Sequence, residues 1–270
     1  MSPIVNSIVG ISLIFLCTTL GSSFVLFFRT KTISPKLNRI FLGFAAGIML
    51  SASVFSLIIP ALETNVSYMP SFVVVLISVL LGAAFLWGID KLTPHLHVQR
   101  NEEEGIRNVH LSKTTKMFMA VTIHNFPEGL SVGIAYGVAL AAVALGDGSA
   151  SSMLMGALML AIGIGIQNIP EGAVVALPFL SETGSKGKAF MYGTLSGAIE
   201  PIAAVLGLFL AFLFQPLMPW ALAFAAGCML YVIAEEMVPD LQSEAGSHEG
   251  VWSLMVGFVL MMVLDTALGQ

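Results

Sequence analysis

Long apolar stretches separated by short polar segments run the length of this chain, at about residues 4–28, 38–61, 71–90, 115–143, 151–180, 188–213, 217–239 and 250–268. Each is close to or above the roughly 20 residues that an α-helix needs to cross a hydrocarbon core. The pattern predicts an all-α membrane protein with eight transmembrane helices, a single domain over residues 1–270. Helices 1–3 cover about 4–90, a polar loop 91–114, helices 4 and 5 about 115–180, and helices 6–8 about 188–268. Composition agrees: with 57% hydrophobic residues, only 10% charged and a mean hydropathy of +0.92, there is no material for a sizeable soluble domain.

Charge placement sets a topology, because Lys and Arg accumulate in short cytoplasmic loops. All eleven basic residues fall in alternate loops: Arg29, Lys31, Lys36 and Arg39 after helix 1, Lys91, Arg100, Arg107, Lys113 and Lys116 after helix 3, Lys186 and Lys188 after helix 5. Those loops are expected in the cytoplasm, which puts both termini outside. The loop after helix 7 holds only acidic residues (Asp240, Glu244, Glu249), so helix parity carries its assignment. The N-terminus lacks a charged n-region and a small-residue cleavage site, so helix 1 reads as a retained span. Cys17 and Cys228 lie in apolar spans and read as small buried hydrophobes. A net charge of -5 offers no basic footprint for nucleic acid. Compact loops point to a bacterial inner membrane.

The chain also repeats itself. FAAGIML at Phe44–Leu50 in helix 2 returns as FAAGCML at Phe224–Leu230 in helix 7, each followed by a proline, Pro60 and Pro239. Helix 3 ends in WGID at Asp90 and helix 8 in MVLD at Asp265. Triplets 1–3 and 6–8 therefore correspond, and because they start on opposite sides of the membrane the predicted architecture is a 3+2+3 inverted repeat. Such repeats are common among secondary transporters.

Between the triplets, one short motif occurs twice: HNFPEG at His124–Gly129 and QNIPEG at Gln167–Gly172. Residues four apart share a helix face, so His124 and Glu128 point together from helix 4, and Gln167 and Glu171 from helix 5, with Asn125 and Asn168 bordering the same faces. Pro127 and Pro170 leave the carbonyls of Ile123 and Ile166 without their usual donors and are expected to kink both helices. An intramembrane carboxylate is costly and marks an ion or substrate path. Imidazole, carboxylate and amide oxygens suit borderline divalent metals, with His favouring zinc-like ions over magnesium or calcium.

Glu200, directly before Pro201 in helix 6, is a third carboxylate at mid-span and a further candidate ligand. Met49 in helix 2, with Ser53 and Ser56 on a nearby face, is open between a soft thioether ligand and ordinary packing. Glu235 and Glu236 suit an exit-side relay or a water-facing pair. Asp90 and Asp265 are either solvated helix ends or groups that steer cations along the path. His95, His97 and His110, with the run Glu102–Glu104, lie in a segment too charged to pack and read as a solvated linker.

The two PEG motifs on consecutive helices, SGAIEP on the next and FAAGIML on helix 2 together resemble the ZIP (Zrt-, Irt-like protein) metal transporters of bacterial type. The resemblance spans all eight helices. It implies one metal site formed by Met49, His124, Glu128, Gln167 and Glu171, and a neighbouring site formed by Asn125, Glu128, Asn168, Glu171 and Glu200, with both motif glutamates bridging. It also implies uptake toward the cytoplasm with Zn2+ as cargo and Cd2+, Fe2+ or Mn2+ as further candidates, in a bilayer-embedded chain for which a homodimer is open. Two departures bear on selectivity: Asn168 stands where some members have an acidic residue, and Glu235–Glu236 where some have His-Glu. The rival classes are a proton or cation channel without a tight binding step, and an intramembrane metalloprotease, for which the HExxH signature is missing.

Overall fold

The computed structural model describes residues 1–27, 34–64, 66–97, 102–104, 111–241 and 247–268. Among the described residues, eight helices are long and apolar enough to cross a membrane: α1 (Pro3–Phe27), α2 (Pro35–Glu63), α3 (Ser71–Leu92), α4 (Lys113–Leu145), α5 (Ala150–Thr183), α6 (Lys186–Leu213), α7 (Met218–Leu241) and α8 (Glu249–Ala267). Their ends follow local chemistry. Ser34, Ser112 and Ser185 cap α2, α4 and α6 by accepting from the N–H of Leu37, Thr115 and Lys188. Gly146 and Gly184 close α4 and α5 in the left-handed conformation that glycine adopts without strain.

Packing divides the spans into two groups. The most extensive contacts join α4 to α6, α1 to α5, α2 to α8 and α3 to α7, and α4 also packs on α5. Hence α1, α4, α5 and α6 form one group and α2, α3, α7 and α8 the other. The pairs are matched: exchanging α1 with α6, α2 with α7, α3 with α8 and α4 with α5 turns each pair into another of the set.

Small residues hold the matched pairs at close range, as expected where lipid gives no hydrophobic drive between helices. A Cβ on Gly47 would strike the Leu254 carbonyl of α8, and one on its repeat counterpart Gly227 would strike the Val79 carbonyl of α3. In return, Gly257 sits against the Phe44 carbonyl and Gly82 against that of Phe224. A π-helical segment follows each FAAG, Ser53–Ile58 in α2 and Ile233–Met237 in α7, and both begin at the same distance beyond Phe44 and Phe224. Such segments are frequent at functional sites.

The structure departs from the sequence reading in four places. The polar loop carries a short antiparallel ribbon, His95–His97 paired with Glu102–Glu104, where a featureless linker was expected; His110 falls outside the described residues. α6 is interrupted: helix runs from Lys186 to Ser196 and again from Ile199 to Leu213, because Pro201 has no N–H to give and the intervening residues close three-residue hydrogen bonds, Glu200 N–H to Gly197 at 3.0 Å among them. Pro127 and Pro170 lie inside α4 and α5, where the sequence placed them. Asp240 and Glu249, assigned to a loop, belong to α7 and α8, and Asp90 is buried at the end of α3, where Tyr231 donates to it at 3.4 Å, not solvated.

Candidate metal centre

Both PEG motifs face inward where α4 and α5 cross. Asn125, Glu128, Gln167, Asn168 and Glu200 are wholly buried, and Glu128, Glu171 and Glu200 stand near enough to repel one another. The glycines that end the motifs make this possible. Gly129 lets α4 lie against the Glu200 carbonyl of α6, and Gly172 lets α5 lie against the Thr18 carbonyl of α1.

The amide nitrogens are committed to neighbouring groups. Asn125 Nδ2 donates to the Ser196 carbonyl at 3.0 Å, and Asn168 Nδ2 to the Ile14 carbonyl at 3.4 Å, bonds that match when α4 is exchanged with α5 and α6 with α1. Gln167 Nε2 donates to Glu128 Oε1 at 2.5 Å. Thr18 donates to Glu200 Oε1 at 2.7 Å, and Asn168 also lies within hydrogen-bonding reach of that carboxylate.

What remains is a set of acceptors without donors. Asn125 Oδ1, Glu128 Oε2, Gln167 Oε1, Asn168 Oδ1, Glu171 Oε2 and Glu200 Oε2 are all buried with no hydrogen-bond partner among the described residues. A buried acceptor left unmade costs about 1–3 kcal/mol, more when charged, so six in one region suit a donor or a cation. Among the described residues, no three His, Cys, Asp or Glu groups converge as a ready-made metal shell. The chemistry on offer is mixed carboxylate and amide oxygen with one imidazole, gathered but not closed.

His124 is turned the other way, its Nε2 2.5 Å from Glu236 Oε1 of α7, and the fields of Glu171 and Asp90 reach it as well. It lines a cavity of about 90 Å³ together with Glu171, Glu236, Asp240 and Asn38. A second cavity, about 320 Å³, opens among the other halves of α2, α4 and α5 and is lined by Ser56, Glu63 and Asp265. There Ser56 donates to Asp265 Oδ1 at 2.8 Å. Glu235 is half-buried beside Glu236. Met49 is wholly buried in the core of α2.

Asp240, Asn38 and Thr18 were not among the residues singled out from sequence. Asp240 lies four residues after Glu236 and so shares its face, a signal masked by the intervening Pro239. Thr18 and Ser22 share a face of α1 by the same spacing. Asn38 gave no such signal.

Comparison with known proteins adds independent findings. Residues 114–265 match the family model described as ZIP zinc transporter. The chain is 33% identical over 340 residues to the zinc transporter ZIP11 of Xenopus tropicalis, covering 99% of this chain and 98% of that protein. It is 36% identical over 244 residues to the zinc transporter GufA of Myxococcus xanthus (89% and 91% covered) and 34% identical over 259 residues to the zinc transporter ZIPB of Bordetella bronchiseptica (94% and 79% covered).

Proposed function

The chain belongs to the ZIP family of zinc transporters, a family of multi-pass membrane transporters and not of enzymes, and from that premise we propose that it takes Zn2+ into the cytoplasm through a two-metal site between α4 and α5. Met49, His124, Glu128, Gln167 and Glu171 form the first site; Asn125, Glu128, Asn168, Glu171 and Glu200 form the second. Glu128 and Glu171 bridge the two. Cd2+, Fe2+ and Mn2+ are further cargoes that the same donors accommodate.

The observation that carries this reading is the group of six buried oxygens without a hydrogen-bond partner among the described residues, two from the first motif, three from the second and one from Glu200. As carboxylates and amide oxygens they present acceptors, which suits a cation and not an anion. A dication supplies the missing charge.

The path runs from the cavity lined by Glu63, Ser56 and Asp265, across the motif residues, to the cavity lined by His124, Glu236 and Asp240, with Asp90 and Glu235 nearby. Placement of Lys and Arg supports the first cavity and both termini lying outside, and the compact loops support a bacterial inner membrane. The matched packing supports an inverted repeat, in which the group α1, α4, α5 and α6 moves against α2, α3, α7 and α8 to expose the site alternately. Inward movement gains about 2.3 kcal/mol per charge per 100 mV of inside-negative potential, twice that for a dication.

Uptake of a panel of divalent ions into proteoliposomes tests the reading. Wild type is expected to take up zinc saturably, and His124→Ala and Glu171→Ala to lose that uptake. Zinc uptake at the parental rate in both variants overturns the assignment.

A further inference from the structure

One polar residue touches the proposed site from outside both motifs. Thr18, buried in α1, places its hydroxyl 2.7 Å from Glu200 Oε1 and 3.3 Å from its own-helix Ile14 carbonyl. A hydroxyl has one proton, and the charged oxygen is both nearer and the stronger acceptor. The far oxygen of the same carboxylate, Oε2, has no partner. Gly197 leaves the room this arrangement needs, since a Cβ there would meet Thr18 Cβ and Cγ2 at 2.8 Å and Glu200 Oε1 at 3.0 Å.

The packing also makes Thr18 the counterpart of Glu200. Gly172 of α5 rests on the Thr18 carbonyl as Gly129 of α4 rests on that of Glu200. Asn168 reaches Ile14 as Asn125 reaches Ser196, each four residues before its Thr18 or Glu200. Two equivalent positions that touch each other lie on either side of the axis relating the halves. One supplies a carboxylate and the other a hydroxyl that holds it.

We propose that Thr18 is a positioning residue for the second metal site: by fixing one oxygen of Glu200 it leaves a single oxygen for cargo. This rests on the metal-transport reading above. A carboxylate limited to one oxygen favours a small ion of low coordination number such as zinc, whereas a freed carboxylate can chelate through both oxygens and suits ions with oxygen-rich, octahedral shells such as Mn2+.

The test uses the full-length protein in proteoliposomes, with zinc uptake measured alone and against Mn2+ as competitor. Thr18→Val is expected to raise the zinc KM about tenfold, the scale of one hydrogen bond to a charged group, while Vmax is retained. Mn2+ then competes better, and Thr18→Ser restores both properties. Thr18→Ala removes the hydroxyl without adding bulk and must give the same shifts if the valine protein is not recovered. In a Glu200→Gln background Thr18→Val should add nothing, because the two act as one unit. An unchanged KM and unchanged Mn2+ competition in Thr18→Val and Thr18→Ala overturn the inference, as does a full effect persisting in the Glu200→Gln background. If Glu128→Ala abolishes uptake while Thr18→Val leaves it untouched, the positioning role alone fails; if wild type shows no saturable zinc uptake, both readings fail.

Discussion

His124 of α4 and Glu236 of α7 meet at 2.5 Å across the boundary between the two helix groups. The contact ties a motif residue to the group that carries no motif. Cargo that takes the imidazole must take it from Glu236, so binding in the centre loosens a cross-group tie.

Replacing Glu236 separates these effects. In Glu236→Ala the imidazole loses its carboxylate partner, and on the proposed path the cavity beside His124 loses a carboxylate that would receive the leaving ion. Kinetics of zinc uptake are expected to show KM and Vmax falling together, by about threefold or more, within the range of one hydrogen bond to a charged group. A raised KM would show that Glu236 draws the ion in and does not compete for His124.

Gln167 holds Glu128 at 2.5 Å. Gln167→Leu removes that donor from a buried carboxylate and should lower zinc uptake at limiting zinc by about tenfold or more. Gln167→His instead adds a second imidazole to the centre, and imidazole suits zinc better than manganese. Competition assays are expected to show Mn2+ inhibiting zinc uptake less in that variant than in wild type.

Close approach at the motif glycines predicts matched losses of stability. Gly129→Ala and Gly172→Ala each press a methyl group into a backbone carbonyl, of Glu200 and Thr18 respectively. Backbone cannot swing aside as a flexible side chain can, and overpacking of this kind costs about 1–3 kcal/mol. Thermal unfolding in detergent should show both variants melting earlier, with Gly88→Ala, which meets nothing within 4 Å, unchanged or slightly more stable.

Arg39 and Glu249 join the starts of α2 and α8, with Nε at 3.0 Å and Nη2 at 2.6 Å from the same carboxylate oxygen. The Arg39 side chain is 5% exposed and that of Glu249 22%. Glu249→Ala withdraws the carboxylate from a nearly buried guanidinium. The loss is smaller than for a fully buried pair, because Glu249 stands in contact with solvent, and the variant is expected to melt earlier than wild type. The same thermal assay checks it, and a variant as stable as wild type would show that the other surroundings of Arg39 suffice.

The eight spans, the matching FAAG segments and the two PEG motifs were legible in the sequence, and for one reason. Hydrophobic length, the four-residue repeat of a helix face and the missing N–H of proline are local properties, so His124 with Glu128 and Gln167 with Glu171 could be placed together before any fold was known. Family resemblance added Met49, whose burial in α2 leaves its chemistry unmarked by spacing.

Packing decided the rest. Nothing near Thr18 names Glu200 as its partner, nothing near His124 names Glu236, and Arg39 finds Glu249 only because glycines at positions 43 and 47 bring α2 against α8. Asp90 was open between a solvated helix end and a cation-steering group, and the packing of α3 on α7 buried it. In a bilayer, small residues decide which helices touch, and that choice decides which donor each buried carboxylate receives. The sequence by itself determined that these acceptors lie at membrane depth; only the tertiary structure decided which of their oxygens would be left for an ion.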